Sequence, residues 1–108
     1  MYLCLKQHTN KSKDDLIPAF LTAAEWRFTD GVMQLINAGI DINSKDQNGS
    51  TALILAVLEG GMDIVKYLCT TDGIDINDKN QYGNTALEYA TRYGRKKMIK
   101  VLKAAGAQ

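Results

Sequence analysis

The strongest constraint on this chain is that it resembles itself at a fixed interval. Gly39-Ile40-Asp41-Ile42-Asn43 recurs as Gly73-Ile74-Asp75-Ile76-Asn77, 34 residues later (73 − 39). The same interval relates Gly49-Ser50-Thr51-Ala52-Leu53 to Gly83-Asn84-Thr85-Ala86-Leu87, and Ala56, Gly60 and Leu68 to Ala90, Gly94 and Leu102. A period in the low thirties marks a solenoid, because each unit is one supersecondary element that cannot bury its apolar face alone and must stack on its neighbours. A chain of 108 residues has room for three such units and for no separate catalytic lobe.

Within the second unit the residues predict a loop followed by two antiparallel helices. Thr51 can cap a first helix, since its hydroxyl accepts from the free amides of the first turn, and Leu53, Ala56 and Val57 then share one face. Gly60-Gly61 should end that helix. Asp63 favours the positive end of a second helix whose buried stripe is Ile64, Val65, Leu68 and Cys69, with Gly73 expected as its stop. Asp46-Gln47-Asn48-Gly49 and Asn80-Gln81-Tyr82-Gly83 are turn-forming stretches that predict a hairpin-like loop projecting between units.

This pattern resembles the ankyrin repeat family. Asp46, Gly49, Thr51, Leu53, Ala56, Gly60, Ile64, Val65, Gly73, Asp75 and Asn77 match the family's motif, and the third unit repeats most of it from Gly83 to Gly106. The resemblance covers roughly residues 17–108 and implies an all-α ankyrin-repeat solenoid of stacked helix-turn-helix units. Ala52 and Ala86 stand where the family has proline, and Ile54 and Glu88 where it has histidine, so looser ties between repeats are expected. The second unit is one residue longer than the family's usual length, an excess assigned to Thr70-Thr71-Asp72.

The first unit is degenerate, as a terminal repeat facing water should be. Placing Val32-Met33 under Ile64-Val65 gives an interval of 32 residues (64 − 32), with Ile17, Phe20, Leu21, Ala24 and Phe28 as a helical stripe and Pro18 near the first helical position. The organisation expected is a flexible leader over residues 1–13 and one domain over residues 14–108, divided into units of about 14–45, 46–79 and 80–108.

Enzymatic chemistry finds little support. The single histidine, His8, has only Cys4 as a nearby soft ligand, too few donors for zinc, and the carboxylates occupy turn or helix-start positions. Gly60-Gly61 lacks the lysine and spacing of a phosphate loop. No catalytic, cofactor or metal residues are therefore assigned. Two cysteines do not make a disulfide scaffold. The Leu3-Cys4-Leu5 run is too short for a signal-peptide core, and no segment is long enough to span a bilayer, so a cytoplasmic or nuclear protein, or one exported by a route without a cleaved signal, is expected.

The resemblance implies a binding role, through loop and first-helix positions that form a concave face. Those positions fall on Lys45, Gln47, Asn48, Ser50, Leu58 and Glu59, then on Lys79, Gln81, Tyr82, Asn84, Arg92 and Tyr93. The interval of 32 puts Trp26 and Arg27 in the places of Leu58 and Glu59. Tryptophan, tyrosine and arginine are the types that most often dominate binding energy. Trp26 can serve either as such a contact or as a cover over the open end of the stack. Asn43 and Asn77 also match loop asparagines that oxygenases hydroxylate in some ankyrin proteins. The expected activity is that of an adaptor or inhibitor, monomeric, binding another protein.

Charge is unevenly spread. Residues 46–88 carry two Lys/Arg against seven Asp/Glu, whereas residues 89–108 carry six Lys/Arg and no acid. Arg92, Arg95, Lys96, Lys97, Lys100 and Lys103 allow a second reading, an accessory protein that meets an acidic partner, phosphates or nucleic acid at this end. Sequence-specific base recognition is disfavoured, because only Tyr93 beside Arg92 interleaves an aromatic with the cations. The plain alternative is a solvated outer face on a last repeat. A third reading, a piece of a longer ankyrin array, predicts ready melting or aggregation for want of a good cap.

Overall fold

In a computed structural model, residues 16–107 are described; the expected leader over residues 1–13, with Cys4 and His8, lies outside them. The described residues form six α-helices in three antiparallel pairs: α1 (Ile17–Glu25) with α2 (Thr29–Asn37), α3 (Ala52–Glu59) with α4 (Met62–Cys69), and α5 (Ala86–Arg92) with α6 (Lys96–Ala104). Among them there is no strand, only an isolated antiparallel bridge between Lys45 and Thr51 at the base of a loop. First helices stack as α1, α3, α5 and second helices as α2, α4, α6. The stack measures 50 × 25 × 22 Å.

The core runs unbroken through the three pairs. Phe20, Val32, Leu53, Ile54, Val57, Ile64, Val65, Leu68 and Leu102 are fully buried. Each such side chain contributes about 1.5–3 kcal/mol relative to exposure. The middle unit is covered on both sides, which is why α3 is apolar almost all round, with Ala52, Leu53, Ile54, Ala56 and Val57 buried. Ile54, at the family's histidine position, is simply a core residue.

Local signals place the helix ends. The Thr51 hydroxyl accepts from the Ile54 amide at 3.3 Å, and Gly60 closes α3 in the left-handed region at φ 77°. At the third unit Thr85 accepts from the Glu88 amide at 3.2 Å while the Glu88 carboxylate accepts from the Thr85 amide at 3.4 Å, a reciprocal capping box. Glu88 thus fills its position with a helix start of its own.

Three expectations need correction. The first unit aligns with the second at an interval of 33, not 32. The Phe28 amide donates to Ala23 O at 2.7 Å, as Gly61 does to Ala56 O at 2.8 Å and Arg95 to Ala90 O at 2.9 Å. Phe28 and Gly61 are therefore equivalent (61 − 28 = 33), Phe20 rather than Leu21 lies under Leu53, and Val32 lies under Val65. The Val32-Met33 pair only mimicked Ile64-Val65. Phe28 is not part of the α1 stripe either: it sits in the turn after α1 and is 61% exposed.

The third correction concerns Gly73, which does not stop α4. That helix ends at Cys69, with Thr70 as its C-cap. The Thr70 hydroxyl donates to Lys66 O and Tyr67 O, and the Thr71 hydroxyl to Tyr67 O at 2.7 Å, so two threonines satisfy the last carbonyls first. The extra residue of the second unit is accommodated in this stretch. Gly61 to Gly73 spans 12 positions, against 11 from Phe28 to Gly39 and 11 from Arg95 to Gly106.

Candidate partner-binding face

Each helix pair has two ends. The long loops, or fingers, project where one unit passes to the next, and the short turns between paired helices lie at the opposite end. Both fingers share a plan. In the first, Asp46 Oδ1 accepts from the amides of Asn48 at 2.8 Å and Ser50 at 2.9 Å, and the Asp46 amide donates to Ser50 O at 3.0 Å. In the second, Asn80 Oδ1 accepts from the amides of Tyr82 at 3.0 Å and Asn84 at 3.2 Å, and the Asn80 amide donates to Asn84 O at 3.1 Å. Asn80 also donates, through Nδ2, to Tyr89 Oη at 2.8 Å and Ser50 Oγ at 3.4 Å, which a carboxylate could not do.

The fingers also bind each other. Gln81 N donates to Asn48 O at 2.8 Å, and Gln81 Nε2 to Asn48 Oδ1 at 3.1 Å. Gly49, with φ 75°, lets them meet: a Cβ there would come within 3.0 Å of Gln81 N. Lys45 Nζ pairs with Asp78 Oδ1 at 2.8 Å and donates to Lys79 O at 3.3 Å. Asn43 Nδ2 donates to Gly73 O and Asn43 Oδ1 accepts from Asp75 N, both at 2.7 Å, and Asn77 Nδ2 donates to Gly106 O at 3.4 Å. These ties between units join residues 29 to 34 positions apart.

The expected contact residues therefore fall into different situations. Ser50 is buried, 4% exposed, behind the second finger, and half-buried Asn84 donates to Tyr89 Oη at 3.3 Å. Lys45, Asn48 and Gln81 are exposed but engaged with the neighbouring unit. Gln47 lines a shallow depression beside Glu25, Leu21, Leu55 and Lys45, Lys79 is exposed, and Tyr82 stands out from its finger at 66% exposure.

At the turn end the corrected register matters. Trp26 occupies the position of Glu59 and Tyr93 (26 + 33 = 59; 59 + 34 = 93), one place later than the sequence reading put it. Arg27 occupies the position of Gly60 and shares its left-handed backbone, at φ 60°. Trp26 is 76% exposed and Tyr93 54%. Arg27 and Glu59 are exposed too, and Leu58 is half-buried. Trp26 lines an open apolar groove with Pro18, Ala23, Phe28 and Leu35 of the first pair.

Tyr93 stacks on buried Tyr89, centroids 6.3 Å apart and planes 7° from parallel, and the Arg92 guanidinium carbon lies 5.5 Å from the Tyr89 centroid. Arg95, read from sequence only as one cation among six, has a structural task. Its Nη2 donates to Leu58 O at 3.1 Å, satisfying a carbonyl in the last turn of α3, and its guanidinium carbon lies 6.0 Å from the Tyr93 centroid. The guanidinium passes over Gly60, where a Cβ would stand 3.1 Å from Nη1, while Arg27 passes over Gly61, where a Cβ would stand 3.2 Å from its Cγ. Two arginines from the flanking units thus rest on one glycine pair. Equivalence with Gly61 was the available signal for Arg95, but without packing it carried no direction.

Among the described residues no group of three or more His, Cys, Asp or Glu could hold a metal ion. Burial pushes the Cys69 thiol above its ordinary pKa, which keeps it neutral and weakly nucleophilic. No described helix is long and apolar enough to cross a membrane.

Three helix pairs with projecting fingers and a continuous core define a helical solenoid whose exposed faces are surfaces for contact. The chain belongs to the ankyrin repeat family: the family model for ankyrin repeats, in three copies, matches residues 5–108. No curated protein matched the chain. Ankyrin repeats are generally protein–protein interaction modules, and the family is typically non-enzymatic.

Proposed function

We propose that this chain is an adaptor or inhibitor that works by occlusion, docking one partner protein against its fingers and first helices as a monomer in the cytoplasm or nucleus. The observation that supports this reading most is the exposure of Tyr82, Tyr93 and Trp26 on a frame whose loops are tied to one another. Large aromatics held on a rigid surface contribute binding energy without much loss of conformational freedom. Of the fourteen expected contact residues, Tyr82, Arg92, Tyr93, Trp26, Gln47 and Lys79 are the strongest candidates, since Ser50 and Asn84 support the second finger from within. Three repeats offer at most about 800 Å² to a partner, so moderate affinity is expected.

The test is capture of partner proteins from an extract of the native cell, quantified for the wild type and for Tyr82→Ala, Tyr93→Ala and Trp26→Ala. Loss of a captured protein in the tyrosine variants supports the reading. Capture indifferent to all three substitutions would refute it.

A further inference from the structure

The start of the second helix differs sharply between units. Asp30 and Asp63 stand in the first turns of α2 and α4, where a negative charge is favoured by the helix dipole. The equivalent residue of α6 is Lys97 (63 + 34), and α6 has no acid in its first turn. Arg95 and Lys96 precede it; the Arg95 guanidinium reaches away to Leu58 O, so Lys96 and Lys97 are the two cations that stand at the positive end of a helix at an energetic cost. These cations rim a depression whose floor is half-buried Met62 and buried Met98, with the exposed ring of Tyr93 as one wall. The wall is held in place by its stack on Tyr89 and by Arg95, itself anchored on Leu58 O.

We infer that this depression receives an acidic segment of the partner, placing an apolar side chain over Met62, Met98 and Tyr93 and its flanking carboxylates on Lys96 and Lys97. The inference rests on the protein-binding reading above and specifies the partner's chemistry. Methionine floors adapt to aliphatic and aromatic side chains alike, while a cationic rim selects for carboxylates. The extent of positive charge argues against a nucleic acid. In the neighbouring unit Glu59 holds the position of Tyr93 and Asp63 that of Lys97, about 8–10 Å away at ordinary helix spacing. A phosphate backbone running along the stack would carry a charge at every step into those carboxylates, whereas a short peptide can lay its apolar side chain over Met62 and keep its carboxylates on the Lys96 and Lys97 side.

The experiment titrates the full chain into a short labelled peptide carrying a central leucine flanked by glutamates, with a glutamine-for-glutamate version and a single-stranded RNA of equal charge as comparisons. Binding of the glutamate peptide is expected, weakened about fivefold or more in Lys97→Asp and lost in the glutamine peptide. Because Lys97→Asp restores the charge that the other units carry, its Tm should be unchanged or higher, which separates lost binding from lost folding. Tyr93→Ala should weaken the same peptide. The inference is overturned if no glutamate peptide binds, if Lys97→Asp binds it as well as the wild type, if the glutamine peptide binds equally, or if the RNA binds more tightly. A captured partner lost in Tyr82→Ala but kept in Lys97→Asp would remove this docking site while leaving the binding role intact.

Discussion

The finger end and the turn end of the helix pairs join neighbouring repeats by different means. At the finger end, side chains and main chain cross from unit to unit: Lys45 to Asp78, Gln81 to Asn48, Asn80 to Ser50 and Asn43 to Gly73 and Asp75. At the turn end, contact is made by two arginines lying on Gly60 and Gly61, and Trp26 and Tyr93 are left facing solvent. Position in a loop is therefore a poor guide to availability. Most finger polar groups are engaged in holding the stack, and the turns leave more of their chemistry open.

Four measurements would break or sharpen this contrast. The largest effect is expected for Asn80→Ala, which removes two acceptor and two donor interactions at a buried position and should cost about 3 kcal/mol in urea unfolding. A loss below about 1 kcal/mol would mean the second finger is not held by this amide. Gly60→Ala comes next, at about 1–2 kcal/mol, because a side chain there is strained at φ 77° and presses on Arg95. If it equals Asn80→Ala, the turn end ties the repeats as firmly as the finger end and the contrast fails.

Lys45→Ala should cost about 0.5 kcal/mol or less, since its ion pair with Asp78 is partly exposed, and the difference from wild type should shrink at high salt. A larger, salt-insensitive loss in thermal unfolding would give that pair a structural weight its exposure does not suggest. Trp26→Ala is expected to move stability by no more than about 0.5 kcal/mol, because a side chain 76% exposed has little packing to lose. A marked fall in Tm would show that Trp26 covers the end of the stack after all.

Much of the fold was legible because helix caps and apolar spacing are local. Thr51, Gly60 and the Ile64-Val65-Leu68 stripe each act within a few residues of themselves, and all are where the pattern put them. The first unit's register was harder. Its turn carries Arg27-Phe28 in place of a glycine pair, so an apolar doublet one residue out of step gave the more persuasive alignment. The candidate face was legible only in outline. Whether Asn48, Gln81 or Lys45 is free depends on partners 33 or 34 residues away, and no periodicity reports that. Asn80 opens a turn-forming stretch 34 residues after Asp46, but that spacing says nothing of its bond to Ser50.

The side chains that complete the second unit come late in the chain, and this bears on how the protein is made. Ser50 finds Asn80, and the Leu58 carbonyl finds Arg95, only once the third unit exists. A nascent chain interrupted between residues 69 and 80 already contains α3 and α4 but lacks both groups that finish them. Translation from amino to carboxyl terminus thus imposes an order of assembly, in which the third unit locks the second, made before it.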